Sequence, residues 1–322
     1  MTRTINWDRG IHLPEHHLWL DPLTVRASAF VSHAHSDHAR RHQHAVMTAD
    51  SLALCPEQRR PRQTMVLELG VSAPLAGGSV TLHDAGHMQG SAMLLFEHSG
   101  ARLLYTGDVK LRRGWARPDT VIPRAEVLVM ETTYGRPHFR FPDTDSVVEA
   151  IARWCRRALD SNVTPVLLAH ALGKAQEVMV SLRPYGFRFA LEERCMPYAD
   201  VYRAQGVDLP DYCLLDGDPE PDRVVIVPPA GKDQVRRLSR YRTALVSGWA
   251  QDPTFWRMFG ADCAFPYSDH CDFDELLDLA ARSGADQVYT VHGFTAEFAR
   301  TLRKKGLRAS PLHVNEQLAL AL

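Results

Sequence analysis

Six consecutive residues, HAHSDH from His33 to His38, limit the folds open to this chain more than any other segment. They follow the strand-like run ASAFVS, so their side chains are expected to project from a strand end and its loop. Imidazoles and carboxylates bind divalent cations, and four such groups within six residues can serve two ions. The string alone also fits a histidine-rich surface loop or a single structural zinc.

Three further residues are suited to join this loop. They are His87 in GHMQGSA, Asp108 at the end of LLYTGD and His292 in TVHG, and each lies beside a glycine at the end of an apolar run. Taken singly, each has an ordinary interpretation as a turn or loop residue. Together with the HAHSDH loop they predict a metal centre.

Composition excludes several classes of protein. The 322 residues are 45% hydrophobic and suffice for two domains, and no apolar run approaches the length of a membrane helix. The six cysteines include no CxxC pair, and the first ten residues have no signal-peptide core. We therefore expect a soluble cytoplasmic protein with no membrane association. Its net charge of −1 means that a polyanion would be held by local patches.

The pattern of apolar residues changes along the chain. The first part has short strand-like runs such as GSVTLHDAG, and Ser99-Gly100 between two apolar runs predicts a hairpin. DSVVEAIARWCRRALD then has helical spacing, with Asp145 or Ser146 placed to cap it, and VTPVLLAH after it is typical of a buried strand. This alternation predicts a parallel sheet in the middle of the chain.

The order of these motifs resembles that of the metallo-β-lactamase superfamily, whose signature is HxHxDH, a separate His, a bridging Asp and a late His. Asp21 in WLDP matches an early aspartate of the superfamily that supports the HxHxDH loop. The resemblance implies two divalent ions, zinc or manganese. It implies His33, His35 and His87 for one ion, Asp37, His38 and His292 for the second, and Asp108 as the bridge.

Further strings are similar to those of the β-CASP nucleases within this superfamily. Glu131 in METTYG, His270 in YSDHCD and the TVHG string match their three motifs, and LGKAQE and VSGWA resemble stretches inside the β-CASP insertion. The resemblance implies an α/β fold, namely a metallo-β-lactamase αββα sandwich with an inserted α/β β-CASP domain. The expected ranges are 1–144 and 265–322 for the sandwich and 145–264 for the insertion.

Among β-CASP proteins, WDRGIHLPEHHLWLDP and TTYGRPHFRFP look most like the bacterial exonucleases associated with ATP-dependent DNA ligases. This implies a metal-dependent DNA exonuclease that acts in DNA repair. Its implied partners are a nucleic-acid substrate, with single-stranded DNA favoured and RNA as the alternative, an ATP-dependent DNA ligase and other repair enzymes.

The same resemblance suggests roles at the phosphodiester bond. Metal-bound water supplies the nucleophile, with Asp37 among the catalytic residues. The leaving oxygen needs a proton, and His270, oriented by Glu131, is the expected general acid. The alternative for His270 is a residue at a helix start without a catalytic duty.

Basic residues adjoin the predicted ligands in sequence, so phosphate contacts are expected there. These residues are Arg40 and Arg41 after the HAHSDH loop, and Lys110, Arg112 and Arg113 after Asp108.

Three other functions remain open at this stage. A small-molecule metallo-hydrolase is one, because the same metal loop serves ester and amide hydrolysis; the matches at Glu131 and His270 argue against it. An RNA-processing endo- or exoribonuclease is the second, since His292 is more typical of the RNA-acting β-CASP members. A non-catalytic scaffold is the third, and the filled ligand positions argue against it.

Overall fold

We analysed a computed structural model, which describes residues 5–112 and 120–313. The chain divides into two compact units. The first unit is Met1–Arg140 with His270–Ala321, and the second unit is Phe141–Asp269. The segment 145–264, expected from sequence as an insertion, falls inside the second unit.

The first unit begins with a sheet of six strands in chain order. β1, β2 and β3 pair antiparallel, and β3, β4, β5 and β6 pair parallel. One short helix, α1 (Ala49–Leu54), follows β5 and is capped by the Thr48 side chain. The strands are β1 (Asn6–Trp7), β2 (Ile11–Leu13), β3 (Leu18–Leu20), β4 (Ser28–Phe30), β5 (His44–Met47) and β6 (Gln63–Val66).

The next five strands along the chain belong to a second sheet of the first unit, which two later strands complete. The predicted hairpin is confirmed: β9 and β10 pair antiparallel around Ser99 and Gly100, both of which have positive φ angles, as a tight two-residue turn requires. The strands are β7 (Ser72–Leu75), β8 (Gly78–Asp84), β9 (Ala92–His98), β10 (Ala101–Tyr105) and β11 (Val127–Thr132).

The second unit contains the predicted parallel sheet. Its six strands are all parallel, in the order β14-β13-β15-β12-β16-β17. Its helices are α2 (Thr144–Asp160), α3 (Lys174–Leu182), α4 (Met196–Ala204) and α5 (Pro253–Met258). Its strands are β12 (Thr164–Leu168), β13 (Arg188–Leu191), β14 (Tyr212–Leu214), β15 (Arg223–Val227), β16 (Tyr241–Val246) and β17 (Cys263–Phe265).

Helix α2 starts one residue before the predicted segment. Its cap is Asp143, whose side chain accepts from the Ser146 amide at 3.0 Å, so the prediction of Asp145 or Ser146 as the cap was wrong. Four acidic or hydroxyl residues in a row, from Asp143 to Ser146, leave the cap ambiguous in sequence, and the cap is the one that precedes the first helical residue.

The chain returns to the first unit with α6 (Phe273–Ser283), β18 (Gln287–Gly293), α7 (Thr295–Lys304) and β19 (Arg308–Pro311). The second sheet then has the order β19-β18-β11-β10-β9-β8-β7. Buried side chains of both sheets, including Phe30 and Leu94, form one core, and α6 and α7 cover the other face of the second sheet around Leu104. The protein is therefore a mixed α/β structure with several sheets.

This topology gathers the polar residues of the first unit. Since β10, β11 and β18 are parallel neighbours, the segments at their carboxyl ends meet at one sheet edge. Asp108, Glu131 and His292 all lie there. No helix in the described ranges is both long and apolar enough to cross a membrane.

Candidate metal centre

The HAHSDH loop folds into a single turn directly after β4. The amides of His38 and Ala39 donate to the carbonyl of His35 at 3.1 and 2.8 Å. His33 and His38 are buried, while His35 and Asp37 are partly exposed. The loop thus gathers several metal-binding side chains at the end of one strand.

His87 reaches this loop from the end of β8. The backbone before His87 is hydrogen-bonded to the segment that follows Asp108, since the Lys110 amide donates to the Ala85 carbonyl at 2.9 Å. Gly86 has a φ of +70°, and a Cβ there would lie 2.4 Å from the Lys110 carbonyl oxygen. The glycine that precedes His87 therefore permits a close backbone approach that no other residue would allow.

Three imidazole nitrogens converge in this arrangement. His35 Nδ1 lies 3.0 Å from His33 Nε2 and 3.3 Å from His87 Nε2. One shared proton can satisfy two of these nitrogens, whereas one cation satisfies all three. Tetrahedral ligands at the usual zinc–nitrogen distance are about 3.3 Å apart. The residues present therefore fit a divalent metal ion.

Asp108 stands between the two predicted ligand sets. Its Oδ2 lies 3.6 Å from His33 Nε2 and 3.4 Å from His38 Nε2. The ligand atoms of His33, His35, His87 and Asp108 all lie within 4.8 Å of one another. This is the geometry expected of a carboxylate that could bridge two ions.

The second predicted set is gathered less tightly. Asp37 Oδ2 lies 3.6 Å from His38 Nε2, and the rings of His38 and His292 are 5.4 Å apart. His292 has a φ of +53°, an uncommon conformation for a residue with a side chain, and its carbonyl accepts from Thr132 Oγ1 at 2.5 Å. The strained end of β18 thus turns His292 out of the strand path.

Asp21 supports the loop from behind, at the end of β3. It is buried, has a φ of +44°, and its Oδ2 lies 2.7 Å from His38 Nδ1. The same carboxylate accepts from the Ser32 amide at 2.7 Å and from the Tyr105 hydroxyl at 2.9 Å. A carboxylate on Nδ1 directs His38 Nε2 toward the centre, as expected for a partner of a metal-binding histidine.

The buried imidazoles and carboxylates of the centre shift one another's pKa values. Burial would lower the pKa of His38, but the carboxylates of Asp108 and Asp37 raise it well above its ordinary value. Burial would raise the pKa of Asp108, but His38 and His270 hold it well below its usual range. Burial and the neighbouring His38 lower the pKa of His33, so its ring is neutral, the form that binds metals.

Glu131 and His270 form a second polar pair at the same sheet edge. His270 Nδ1 lies 2.9 Å from Glu131 Oε1, and that oxygen also accepts from the Val109 amide at 2.7 Å. The other carboxylate oxygen accepts from the Thr133 hydroxyl. The ring of His270 is 4.6 Å from that of His87. Glu131 is 1% exposed, so the ring is oriented by a fixed, buried carboxylate beside the predicted ligands.

His270 does not lie inside the helix that follows it. Helix α6 begins at Phe273, and its cap is Asp272, which accepts from the amides of Asp274 and Glu275. The alternative of a simple helix-start residue therefore does not account for the contact between His270 and Glu131.

The predicted phosphate contacts differ in their surroundings. Arg40 is partly exposed and Arg41 exposed beside the HAHSDH loop. Lys110 is only 1% exposed. The Arg112 guanidinium pairs with Asp272 at 2.7 Å and Glu275 at 2.8 Å.

Lys110 is thus buried and Arg112 is paired within the chain, and their contact with a nucleic-acid backbone stays a prediction. A charge run after a strand end has the same sequence whether it faces solvent or folds back onto a helix. Arg113, the fifth predicted contact, lies outside the described residues.

Three supporting residues were missed in the sequence. Ser32 contacts Asp21 and lies 2.9 Å from His33 Nδ1, Tyr105 donates to Asp21, and Thr133 donates to Glu131. Each is within three residues of a predicted site residue, which was the available signal. Hydroxyl residues are common at strand ends, so this signal is weak.

Comparisons with known proteins now identify the family. No family model matches the chain. Over 99% of its length the chain is 39% identical to a protein of Opitutus terrae named probable DNA ligase. A 105-residue segment, 32% of this chain, is 30% identical to an RNase J-like protein of Methanocaldococcus jannaschii. A 149-residue match, 39% of this chain, is 34% identical to cleavage and polyadenylation specificity factor subunit 3 of Dictyostelium discoideum.

The matches cover only part of each relative. They take in 32% of the ligase-named protein, 25% of the RNase J-like protein and 18% of the Dictyostelium protein. The α/β structure carries a cluster of histidines and aspartates that could hold a metal ion. With these relatives, the chain belongs to the metallo-β-lactamase/β-CASP family.

Proposed function

We propose that this chain is a metal-dependent nuclease, and specifically a DNA exonuclease that acts in DNA repair. The observation that carries the hydrolase proposal is the convergence of His33, His35 and His87 nitrogens within 3.0–3.3 Å, with Asp108 beside them. Such a centre suits hydrolysis of a phosphodiester, in which negative charge develops on the phosphoryl oxygens.

We assign each of the two units to a domain of the family. In this proposal the first unit is the αββα sandwich and the second unit, which contains 145–264, is the β-CASP domain. The two core layers and the covering helices of the first unit support the first assignment. The all-parallel sheet of the second unit supports the second.

The centre would hold two divalent ions, zinc or manganese. His33, His35 and His87 would bind one, Asp37, His38 and His292 the other, and Asp108 would bridge them. When bound, the ions activate a water molecule and neutralise charge on the phosphodiester. The chain supplies the fixed geometry: Asp21 aims His38 and Ser32 holds His33, so the ligands need no rearrangement when substrate arrives.

His270 is the general acid in this proposal. Its Nδ1 is engaged by Glu131, so proton transfer to the leaving oxygen falls to Nε2. Glu131 accepts from the Val109 amide and the Thr133 hydroxyl as well, which keeps its side chain from rotating away.

DNA is favoured over RNA by one comparison. The relative that aligns with 99% of this chain bears the name of a DNA ligase, and the match covers 32% of that protein. A module joined to a ligase has an obvious use in trimming DNA ends before they are sealed, and we propose that this chain acts beside an ATP-dependent DNA ligase. An RNA-processing nuclease is the second candidate, supported by the names of the RNase J-like and polyadenylation-factor relatives.

The test is a time course of the metal-loaded protein on end-labelled single strands of DNA and RNA with one sequence. We expect stepwise shortening of DNA from one end, and loss of that activity in the Asp37→Ala variant. Cleavage of RNA alone would establish the second candidate. Cleavage of neither strand by a metal-replete protein that hydrolyses a thioester or lactone would replace both with a small-molecule hydrolase.

A further inference from the structure

Arg112 connects the segment that follows Asp108 with the segment that carries His270. Its guanidinium Nη2 lies 2.7 Å from Asp272 Oδ2 and 2.8 Å from Glu275 Oε2, and its Nε lies 3.1 Å from both oxygens of Glu275. The Arg112 side chain is 17% exposed, and Asp272 is buried. An arginine that bridges two carboxylates in this way fixes position more strictly than a single contact does.

The same two carboxylates also form the start of α6. Asp272 Oδ1 accepts from the amides of Asp274 and Glu275 at 3.0 and 2.9 Å, while Oδ2 accepts from Arg112. Glu275 Oε2 accepts from the Asp272 amide at 2.9 Å in addition to Arg112. The reciprocal cap of the helix therefore fixes both carboxylates, and both carboxylates fix Arg112.

Backbone hydrogen bonds join these two segments next to His270. The Cys271 amide donates to the Val109 carbonyl at 2.7 Å, and the Val109 amide donates to Glu131 Oε1 at 2.7 Å. Val109 directly follows Asp108, and it thus contacts both the residue after His270 and the carboxylate that holds the His270 ring. Val109 and Cys271 are also buried in one apolar cluster. The position of His270 relative to Asp108 therefore depends on the pairing of these two segments.

A second arginine at the start of α6 lacks these features. Arg140 pairs with Asp274, with 2.6 Å between Nε and Oδ2, but the two side chains are 50% and 58% exposed. Water screens an exposed pair of this kind, so it contributes little to position or stability. Arg112 differs because it is largely buried and bound to both carboxylates of the helix cap.

We propose that Arg112 is a positioning residue that holds His270 where its Nε2 proton can pass to the leaving oxygen as the P–O bond breaks. This inference rests on the proposed function, in which His270 is the general acid. A displacement of about 1 Å can cost roughly 100-fold in rate, so the link between Asp108 and His270 acts on the chemical step. The phosphate contact predicted from the sequence would instead act on the binding of the strand.

The test compares Arg112→Lys with Arg140→Lys, the matched control at the same helix start. Lysine keeps the charge but cannot bridge Asp272 and Glu275 with a planar fork. Each variant is measured in single turnover on a labelled single-stranded DNA oligonucleotide and on bis(p-nitrophenyl) phosphate. The alkoxide that leaves DNA is a strong base and needs a proton, whereas p-nitrophenolate leaves readily without one. Loss of acid catalysis should therefore slow the first substrate and spare the second.

We expect Arg112→Lys to lower the maximal rate on DNA about 10-fold, with the affinity for DNA and the metal content unchanged. Its rate on bis(p-nitrophenyl) phosphate should equal that of the parent, and Arg140→Lys should match the parent on both substrates. In a His270→Ala background, Arg112→Lys should cause no further loss on DNA, because the group that it positions is gone.

Several results would overturn the proposal. Weaker binding of DNA with an unchanged maximal rate and a smaller salt dependence would make Arg112 a phosphate contact. Equal losses on both substrates, or loss of metal, would mean that Arg112 only supports the fold of the site. A further loss in the His270→Ala background would mean that Arg112 acts independently of His270.

A second variant keeps the proposal testable if Arg112→Lys fails to fold, which urea denaturation shows. Glu275→Gln weakens the contact with Arg112 but keeps an oxygen for the Asp272 amide. It should slow DNA cleavage in the same selective way, and a rate on DNA equal to that of the parent would overturn the proposal. Failure of the nuclease proposal looks different, since the parent itself would then cleave no oligonucleotide.

Discussion

Each unit buries a cluster of charged side chains, and the two clusters are satisfied in opposite ways. In the second unit, Lys174 is 3% exposed, and its Nζ lies 3.1 Å from Glu177 Oε2 and 3.3 Å from Asp269 Oδ1. It also lies 4.8 Å above the ring of Tyr267. Here a donor meets acceptors, and the chain supplies both charges.

In the first unit, groups of the same kind meet one another. Lone-pair nitrogens of His33, His35 and His87 converge, and carboxylates surround His38 on three sides. The imidazole nitrogens and the carboxylates of this cluster are all groups that a cation would satisfy. The contrast gives a criterion that distinguishes a structural cluster from a binding site. The criterion is whether each buried donor meets an acceptor within the chain, and not how many charges are buried.

Removing Asp108, the proposed bridge between two ions, should have the largest effect on metal content and turnover. Asp108→Ala deletes the carboxylate that lies within 3.4–3.8 Å of three histidines, so the metal content should fall. Turnover should fall by more than the roughly 100-fold that partners outside the ligand shell produce. Metal analysis of the purified variant and hydrolysis of a labelled DNA strand measure the two effects. Asp286→Ala, which removes an exposed carboxylate of the first unit, is the control and should retain metal. Full metal content in Asp108→Ala would exclude the bridging role.

Removing His270, the proposed general acid, should separate chemistry from metal binding. His270→Ala should keep its metal and lose about 10²–10⁴-fold in turnover, the contribution typical of a positioned acid or base. His44→Ala, an exposed histidine of the same unit, is the matched control. Metal loss equal to that of Asp108→Ala would instead make His270 a ligand.

The candidate ligands have a local signal in the sequence. Four of them in HAHSDH and the glycine-flanked His87, Asp108 and His292 can be found by inspection, and the structure gathers His33, His35, His87 and Asp108 into one cluster. Their supporting partners could not be predicted in the same way. Tyr105 is an ordinary strand residue until the pairing of two sheets puts its hydroxyl 2.9 Å from Asp21.

The types of secondary structure could be predicted from the sequence better than the order of the strands in each sheet. The Ser99-Gly100 hairpin and the alternation that begins with α2 and β12 follow from turn chemistry and apolar spacing. The order of strands in each sheet depends on contacts distant in sequence, which no local pattern records.

The smallest effect on the metal centre is expected from a change in the Lys174 cluster of the second unit, where Lys174 pairs with Glu177 and Asp269. Lys174→Met should leave metal content unchanged but destabilise the protein by about 3–5 kcal/mol, because Glu177 and Asp269 would remain buried without their cation. Arg153→Met breaks an exposed pair with Glu149 and should cost about 1 kcal/mol or less. Urea denaturation of the metal-loaded variants measures both. If Lys174→Met were as stable as Arg153→Met, matched charges would not be what holds this cluster together, and the contrast between the units would fail.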